Sequence, residues 1–217
     1  IGHSTGEFAA AFQAGFYSLE EILLLAYGIG KIAAELDGVM LHGRLSDAQI
    51  ADLPVNLSSY NFTVENEKHV TLSGYADEMA AFLKANPDFV QMKLPHPWHH
   101  PDYGRFADRL KPTISRKIEP GRFVSGVTTE FATALADDHW HQWLVKPIDF
   151  IRSVQTLHER YGAEELTFIE IGFHPVLEYC FREFDNSTYV SSMFRGEDDV
   201  SWILYQRRQL DPTPLIA

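Results

Sequence analysis

Two periods of hydrophobic and polar positions divide this chain. Near the start, Gly2, Ser4 and Gly6 punctuate the sequence, and Phe8-Ala9-Ala10-Ala11-Phe12-Gln13-Ala14 follows as a helical run. Ser18, with Glu20 and Glu21 behind it, reads as the N-cap and acidic first turn of a second helix. Ile22, Leu23, Leu25, Ala26, Ile29, Ile32 and Ala33 recur at helical spacing and predict one wide buried stripe. Gly28 and Gly30 interrupt that stripe, each at a cost of about 1 kcal/mol. Between 38 and 94 the period shortens. Residues 39–43 predict a strand, 46–50 the start of a short helix, and 55–61 and 69–73 two strands joined by a polar link. Residues 77–85 predict a helix closed by Asn86-Pro87, and the alternation over 89–94 predicts a final strand. Further on, 124–127 reads as extended and 128–138 as a loop or short helix. Residues 148–160 read as an amphipathic helix ended by Tyr161-Gly162. Residues 168–172 predict a buried parallel strand, 189–193 a last strand, 201–210 a closing helix and 211–214 a tail or linker.

The order βαββαβ over 38–94 is the ferredoxin-like plan. With helices and a buried parallel strand outside it, the chain reads as α/β.

Composition narrows the function classes. The chain has 217 residues, enough to bury a real core, and 45% hydrophobic with 22% charged residues excludes wholesale disorder. No apolar run approaches the roughly 18 residues that a membrane span requires. A net charge of -12 argues against a nucleic-acid partner. Cys180 is the sole cysteine, so no internal disulfide forms, which fits a reducing, cytoplasmic setting.

The candidate chemistry begins at the first residues. Gly2-x-Ser4-x-Gly6 ahead of a helix is the pattern of a nucleophile elbow, in which glycines on either side let strand and helix approach. The serine hydroxyl is then exposed on a sharp turn. The N–H of Thr5 is aimed where an oxyanion forms, and the helix N-terminus adds positive potential. An elbow needs a strand leading into it, yet only three residues precede Ser4, so the sequence reads as a fragment with its N-terminal part missing. Three histidines, His96, His99 and His100, lie within five residues. The interleaved prolines prevent helical spacing and no carboxylate or cysteine pattern accompanies them, so no metal site is expected.

Gly2-His3-Ser4-Thr5-Gly6-Glu7, the alanine-rich run after it, Ala14-Gly15 and Ser18-Leu19-Glu20-Glu21 resemble the acyltransferase domain of polyketide synthases and the malonyl-CoA:acyl-carrier-protein transacylases. The resemblance can be followed to about residue 205. It implies a two-part acyltransferase fold: a large α/β-hydrolase-like domain with a parallel sheet, from residues 1–36 and 98–217, and an inserted ferredoxin-like βαββαβ subdomain, 37–97. It implies a Ser-His dyad in which Ser4 is acylated from a thioester and hands the acyl group to a carrier-protein phosphopantetheine. His96-Pro97-Trp98-His99-His100-Pro101 matches the family's catalytic-histidine motif, with His99 at the general base. His100 stands where the family has serine, so the sequence leaves open which of the two faces Ser4. A second oxyanion donor, beside the Thr5 N–H, is expected from the upstream part.

The resemblance also implies the pocket. The family's carboxylate-binding arginine falls at Ile29, and Lys31, about 200° further round the helix, faces elsewhere. A buried carboxylate opposite Ile29 is unpaired, so the acyl group is expected not to be malonyl-like. A two-residue slip, which makes Lys31 the partner, is the alternative. His3, Asn61, Trp98, His100, Trp143 and His174 are the other expected pocket residues. Trp143 takes the family's Asn or Gln position, whose backbone carbonyl orients the catalytic histidine. No bound cofactor is expected, with acyl-CoA or acyl-phosphopantetheine as substrate. The expected partners are an acyl carrier protein and neighbouring synthase domains. Arg105, Arg109, Lys111, Arg116, Lys117 and Arg122 form a candidate docking face in an acidic protein. Two rival readings stand beside transfer: an acyl hydrolase of the same fold, and a catalytically silent docking domain.

Overall fold

The computed structural model describes residues 1–110, 114–162, 166–181 and 187–210. Lys111 and the 211–214 tail lie outside the described residues. The chain divides into two compact units, Ile1–Thr156 and Leu157–Ala217.

The first unit opens with helices α1 (Gly6–Ala14) and α2 (Leu19–Ala33). Ser18 caps α2 reciprocally. Its hydroxyl accepts from the Glu21 N–H, and the Glu21 carboxylate accepts from the Ser18 N–H at 2.6 Å. Ile22, Leu25, Ile29, Ile32 and Ala33 are buried as the helical spacing predicts, but Leu23 is 59% exposed. The wide stripe is narrower than expected because Leu23 falls on the opposite side from Ile22 and Leu25 in the 3.6-residue period.

Strands β1 (Val39–Leu45), β2 (Asn56–Val64), β3 (Glu67–Gly74) and β4 (Val90–Gln91) alternate with α3 (Asp47–Ala51) and α4 (Ala76–Ala85). This is the βαββαβ order read from the sequence. The sheet order is β4-β1-β3-β2-β5, antiparallel within its first four strands. One face carries Leu41, Leu45, Val70 and Leu72, which pack with Met79 and Phe82 of α4 and with Phe89. The other face is polar. The register pairs His42 with Thr71, and Ser59 with Thr71, so β1, β3 and β2 present a row of short polar side chains there. The fifth strand, β5 (Ile148–Asp149), joins in parallel beside Ser59 and Tyr60.

A second cluster forms where α1 and α2 pack with Tyr103, Phe123 and α5 (His139–Val145). Residues 101–109 form a 3-10 segment against it, with Pro101 at its first position and the buried Tyr103 hydroxyl donating to the Ala33 carbonyl at 3.1 Å. The structure departs from the expected elements in three places. The final strand over 89–94 shrinks to Val90–Gln91, because Phe89 turns into the core and Pro95 follows shortly. The extended segment at 124–127 is one bridge, Val124 to Phe131. Residues 148–160 divide into β5 and α6 (Phe150–Tyr161).

In the second unit, β6 (Leu166–Glu170) and β7 (Ser187–Ser191) pair in parallel in register, and α7 (Asp199–Leu210) packs back through the Trp202 indole, which donates to the Ser191 carbonyl at 3.1 Å. The strand expected at 168–172 is parallel but not buried: Ile169 is 59% and Ile171 87% exposed. Among the described residues no helix is long and apolar enough to cross a membrane.

Leu72 is fully buried on the middle strand of the pairing of β1, β3 and β2. Leu72→Ala is expected to destabilise the protein by about 2–5 kcal/mol, read as a lower urea midpoint with an unchanged slope.

Candidate active site

Ser4 sits in the turn that opens α1. Its φ is 50°, a left-handed conformation that a serine adopts only when its surroundings hold it. Backbone bonds from the Gly6 N–H to the His3 carbonyl and from the Glu7 N–H to the Ser4 carbonyl, both 2.9 Å, lock the turn. Gly2 is indispensable here. A Cβ on it would lie 2.3 Å from the Gly6 carbonyl carbon and 2.4 Å from the Glu7 nitrogen. Gly6, expected to serve a similar close approach, has open space where its Cβ would be. The sharp approach therefore runs from Gly2 to the first turn of the helix.

The Ser4 hydroxyl lies 2.8 Å from His99 Nε2. His99 Nδ1 lies 2.7 Å from the Trp143 carbonyl. A carbonyl only accepts, so Nδ1 carries the hydrogen and Nε2 is left as the acceptor for the serine proton. His99 is 1% exposed, and burial lowers its pKa to about 4. The Trp143 carbonyl opposes that shift and the nearby His3 adds to it. At neutral pH the imidazole is therefore an uncharged base. The Trp143 carbonyl is free for this bond because it stands in the last turn of α5, and the residue four places on is Pro147, which has no N–H.

His99 also has a positive φ, 55°. Strand β2 holds its loop: Asn56 Nδ2 donates to the His99 carbonyl at 3.0 Å, and the Ser58 hydroxyl donates to the Trp98 carbonyl at 3.0 Å. The same strand reaches the elbow. His3 Nε2 donates to Asn61 Oδ1 at 2.8 Å, Ser59 donates to the same oxygen, and Asn61 Nδ2 donates to Thr71 Oγ1 at 3.0 Å. Asn61 is thus a buried bracket for His3, next to the serine.

The adjacent histidine goes elsewhere. His100 Nδ1 accepts from the Asp102 N–H at 3.2 Å, and its ring meets Tyr75 edge-on. Tyr75 in turn donates a short hydrogen bond to Asp102. Trp98 is half-buried and edge-on to Trp143, whose indole also faces His99, 4.6 Å between ring centroids. Ile29 is 1% exposed within the apolar cluster that holds Trp143 and Trp98. Lys31 is exposed, with its ammonium over the Tyr27 ring. His174 belongs to the second unit, where it packs edge-on to Phe194 and accepts from the Arg195 N–H.

One buried polar group was not anticipated. Glu7 is completely buried, and its Oε1 faces His139 Nε2 at 3.1 Å. The only signal in the sequence was a carboxylate on the apolar side of a helix. Of the candidate docking cations, Arg109 pairs with Glu35 at 2.8 Å and Arg116 with Glu21 at 2.6 Å, so two of the charges are already matched on the surface.

Among the described residues no group of three or more histidine, cysteine or carboxylate side chains converges to hold a metal. The arrangement sets an uncharged, buried imidazole nitrogen where it can accept a proton from a partly exposed serine hydroxyl 2.8 Å away.

The sequence profile of the acyl transferase domain family matches residues 1–213. The highly reducing polyketide synthase FUM1 of Gibberella moniliformis is 32% identical over 222 residues, covering 91% of this chain and 8% of that protein. The highly reducing polyketide synthase cnsI of Penicillium expansum is 30% identical over 243 residues, covering 97% of this chain and 10% of that protein. The chain thus spans about a tenth of the length of these curated relatives. Among solved structures, the acyltransferase domain from module 8 of the salinomycin polyketide synthase superposes with a TM-score of 0.79 at 24% identity, over 99% of this chain and 55% of that one. The malonyl CoA-acyl carrier protein transacylase from Clostridium perfringens superposes with a TM-score of 0.70 at 20% identity, over 96% and 71%. These two likenesses are of fold.

The depressed His99 pKa fixes a pH dependence. Between the ordinary value near 6.5 and about 4, the unfolded chain binds a proton that folded His99 refuses. His99 therefore costs stability as pH falls through that window and nothing above it. Labelling of Ser4 by a fluorophosphonate is expected to hold its rate from neutral pH to about 5 and to halve near 4.

Proposed function

Because the chain belongs to the acyl transferase domain family, we propose that it moves an acyl group from an acyl-CoA or carrier-bound thioester, through an ester on Ser4, to the phosphopantetheine thiol of an acyl carrier protein in polyketide biosynthesis. The carrying observation is the hydrogen-bond chain from Ser4 Oγ through His99 to the Trp143 carbonyl, 2.8 and 2.7 Å.

In the first half-reaction Ser4 Oγ attacks the thioester carbonyl carbon as its proton passes to His99 Nε2. The Trp143 carbonyl stabilises the imidazolium that forms, where a triad would place a carboxylate. The Thr5 N–H, at the start of α1, is one donor for the developing oxyanion. Collapse breaks the carbon–sulfur bond, and the leaving thiolate takes the proton from His99. In the second half-reaction the carrier thiol gives its proton to His99 and attacks the ester. Ser4 leaves with that proton, and the acyl group is again a thioester.

The acyl group is neutral. Ile29 stands within the apolar cluster at the position assigned to the carboxylate-binding arginine, and the Lys31 ammonium lies over Tyr27 in solvent. A malonyl carboxylate beside Ile29 would be buried without a partner. Trp98 and Trp143 add bulk on the same side. The carrier docks through the cations that have no matching carboxylate among the contacts above, Arg105, Lys117 and Arg122, more than through Arg109 and Arg116.

Intact mass spectrometry after incubation with malonyl-, methylmalonyl-, acetyl-, propionyl- and a longer acyl-CoA tests this. An adduct from neutral acyl groups is expected, absent in Ser4→Ala. His99→Ala is expected to slow its formation about a hundred- to ten-thousand-fold, and His100→Ala only slightly. A malonyl adduct would overturn the Ile29 argument. Rapid loss of the adduct to water without carrier favours a hydrolase, and no labelling by fluorophosphonate favours a silent domain.

A further inference from the structure

The dyad is only half of a closed ring. Ser4 lies at the N-terminus of α1, and Glu7 lies one turn along it, with the Glu7 N–H on the Ser4 carbonyl. The Glu7 carboxylate is completely buried. Its Oε1 accepts from His139 Nε2 at 3.1 Å, from the Ser125 hydroxyl at 3.3 Å and from the Gly126 N–H at 3.3 Å. His139 is the first residue of α5, and it is itself 4% exposed. Trp143, one turn along α5, offers the carbonyl that holds His99, and His99 meets Ser4. The ring runs Ser4, α1, Glu7, His139, α5, Trp143, His99 and back to Ser4.

We infer that Glu7 and His139 are positioning residues that set the Ser4–His99 distance by tying the helix of the nucleophile to the helix of the base. A fully buried carboxylate is costly, and an apolar residue would pack against the neighbouring aromatic rings without that cost. What the carboxylate supplies is a directional bond between two helices that also meet through apolar contacts, such as Phe8 stacked on Trp140. Apolar packing tolerates sliding by fractions of an ångström, whereas proton transfer between Ser4 and Nε2 does not. Gly126 guards the arrangement: a Cβ there would approach Glu7 Oε2 to 2.8 Å and push the carboxylate aside.

This rests on the proposed acyl transfer, and the experiment separates the two. Ser4 acylation and steady-state transfer to a carrier-protein thiol, over a series of acyl-CoA concentrations, are followed by mass spectrometry in the wild type, Glu7→Gln, His139→Phe and Gly126→Ala, with circular dichroism melting of each. The wild type reports on the acyl-transfer reading. If it forms no adduct, that reading fails. With an active wild type, Glu7→Gln and Gly126→Ala are expected to lower kcat about ten- to a hundred-fold with KM within two-fold, and His139→Phe to do the same. Gly126→Ala removes no polar group and keeps the proposal testable if a Glu7 variant does not fold. The His99 profile adds a readout that a merely structural role would not move. The apparent pKa of acylation is expected to shift in folded Glu7→Gln as the ring's hold on the Trp143 carbonyl loosens. Wild-type kcat in folded Glu7→Gln and Gly126→Ala, or losses carried entirely by KM, would overturn it.

Discussion

A proton fixed on one nitrogen of His99 makes the other nitrogen a base, and the Trp143 carbonyl is what fixes it. That bond selects the tautomer, orients the ring, and supplies the partial negative charge that a protonated His99 would need in a dry site. No carboxylate is needed behind the imidazole. A full charge there would raise the pKa of His99 towards the solvent value and beyond. A carbonyl dipole raises it only in part against the burial that lowers it, so the imidazole stays uncharged over the whole neutral range. Pro147 has no N–H to offer this carbonyl, so one proline just past a short helix leaves open the acceptor that fixes the tautomer of His99, while burial keeps the ring uncharged.

Both members of the Ser4–His99 pair sit on strained backbone, Ser4 at φ 50° and His99 at 55°. Such conformations persist only where surrounding bonds outweigh their cost of about 1–3 kcal/mol each. Strand β2 provides much of that hold. Asn56 and Ser58 grip the carbonyls of the His99 loop, and Asn61 grips the side chain that precedes Ser4. The pairing of β2 with β3 is irregular between Leu57 and Ser59 and between Tyr60 and Phe62, and these breaks in the simple alternation re-aim Ser58 and Asn61, so that three residues of one β-strand reach two separate segments. The opposite face of the same sheet supplies the apolar core that keeps the strand rigid.

The sequence made some of this readable and hid the rest for physical reasons. The elbow is readable because turn chemistry is local: Gly2, Ser4 and Gly6 stand within five residues, and the helix follows at once. The βαββαβ order is readable because each element there is long enough to show its own period. Two-residue strands show none, so β5 beside β2 and the shortness of β4 could not be seen. The adjacent histidines were ambiguous because prolines on either side suppress any period, and the geometry that separates them is a backbone sign at His99. Leu23 and Ile169 read as core because pattern reports hydrophobicity, whereas exposure depends on which neighbours reach that side. The Glu7–His139 contact joins residues 132 apart, and no local pattern carries a contact of that separation.

On the proposed reading, choice of acyl group draws on the same desolvation that lowers the His99 pKa. Trp143, Trp98 and Ile29 share one apolar cluster, and the Trp143 ring stands edge-on to the buried His99 with 4.6 Å between ring centroids, so that cluster contributes to the surroundings that keep the imidazole neutral. A carboxylate brought beside His99 would have to shed its water, which weakens its binding, and would raise the His99 pKa, which favours the protonated form of the base. A neutral acyl group disturbs neither. In the proposed transfer, discrimination against a dicarboxylate and retention of a neutral base would draw on the same desolvation, and a single cation introduced at residue 29 would relax the first while lowering the His99 pKa still further.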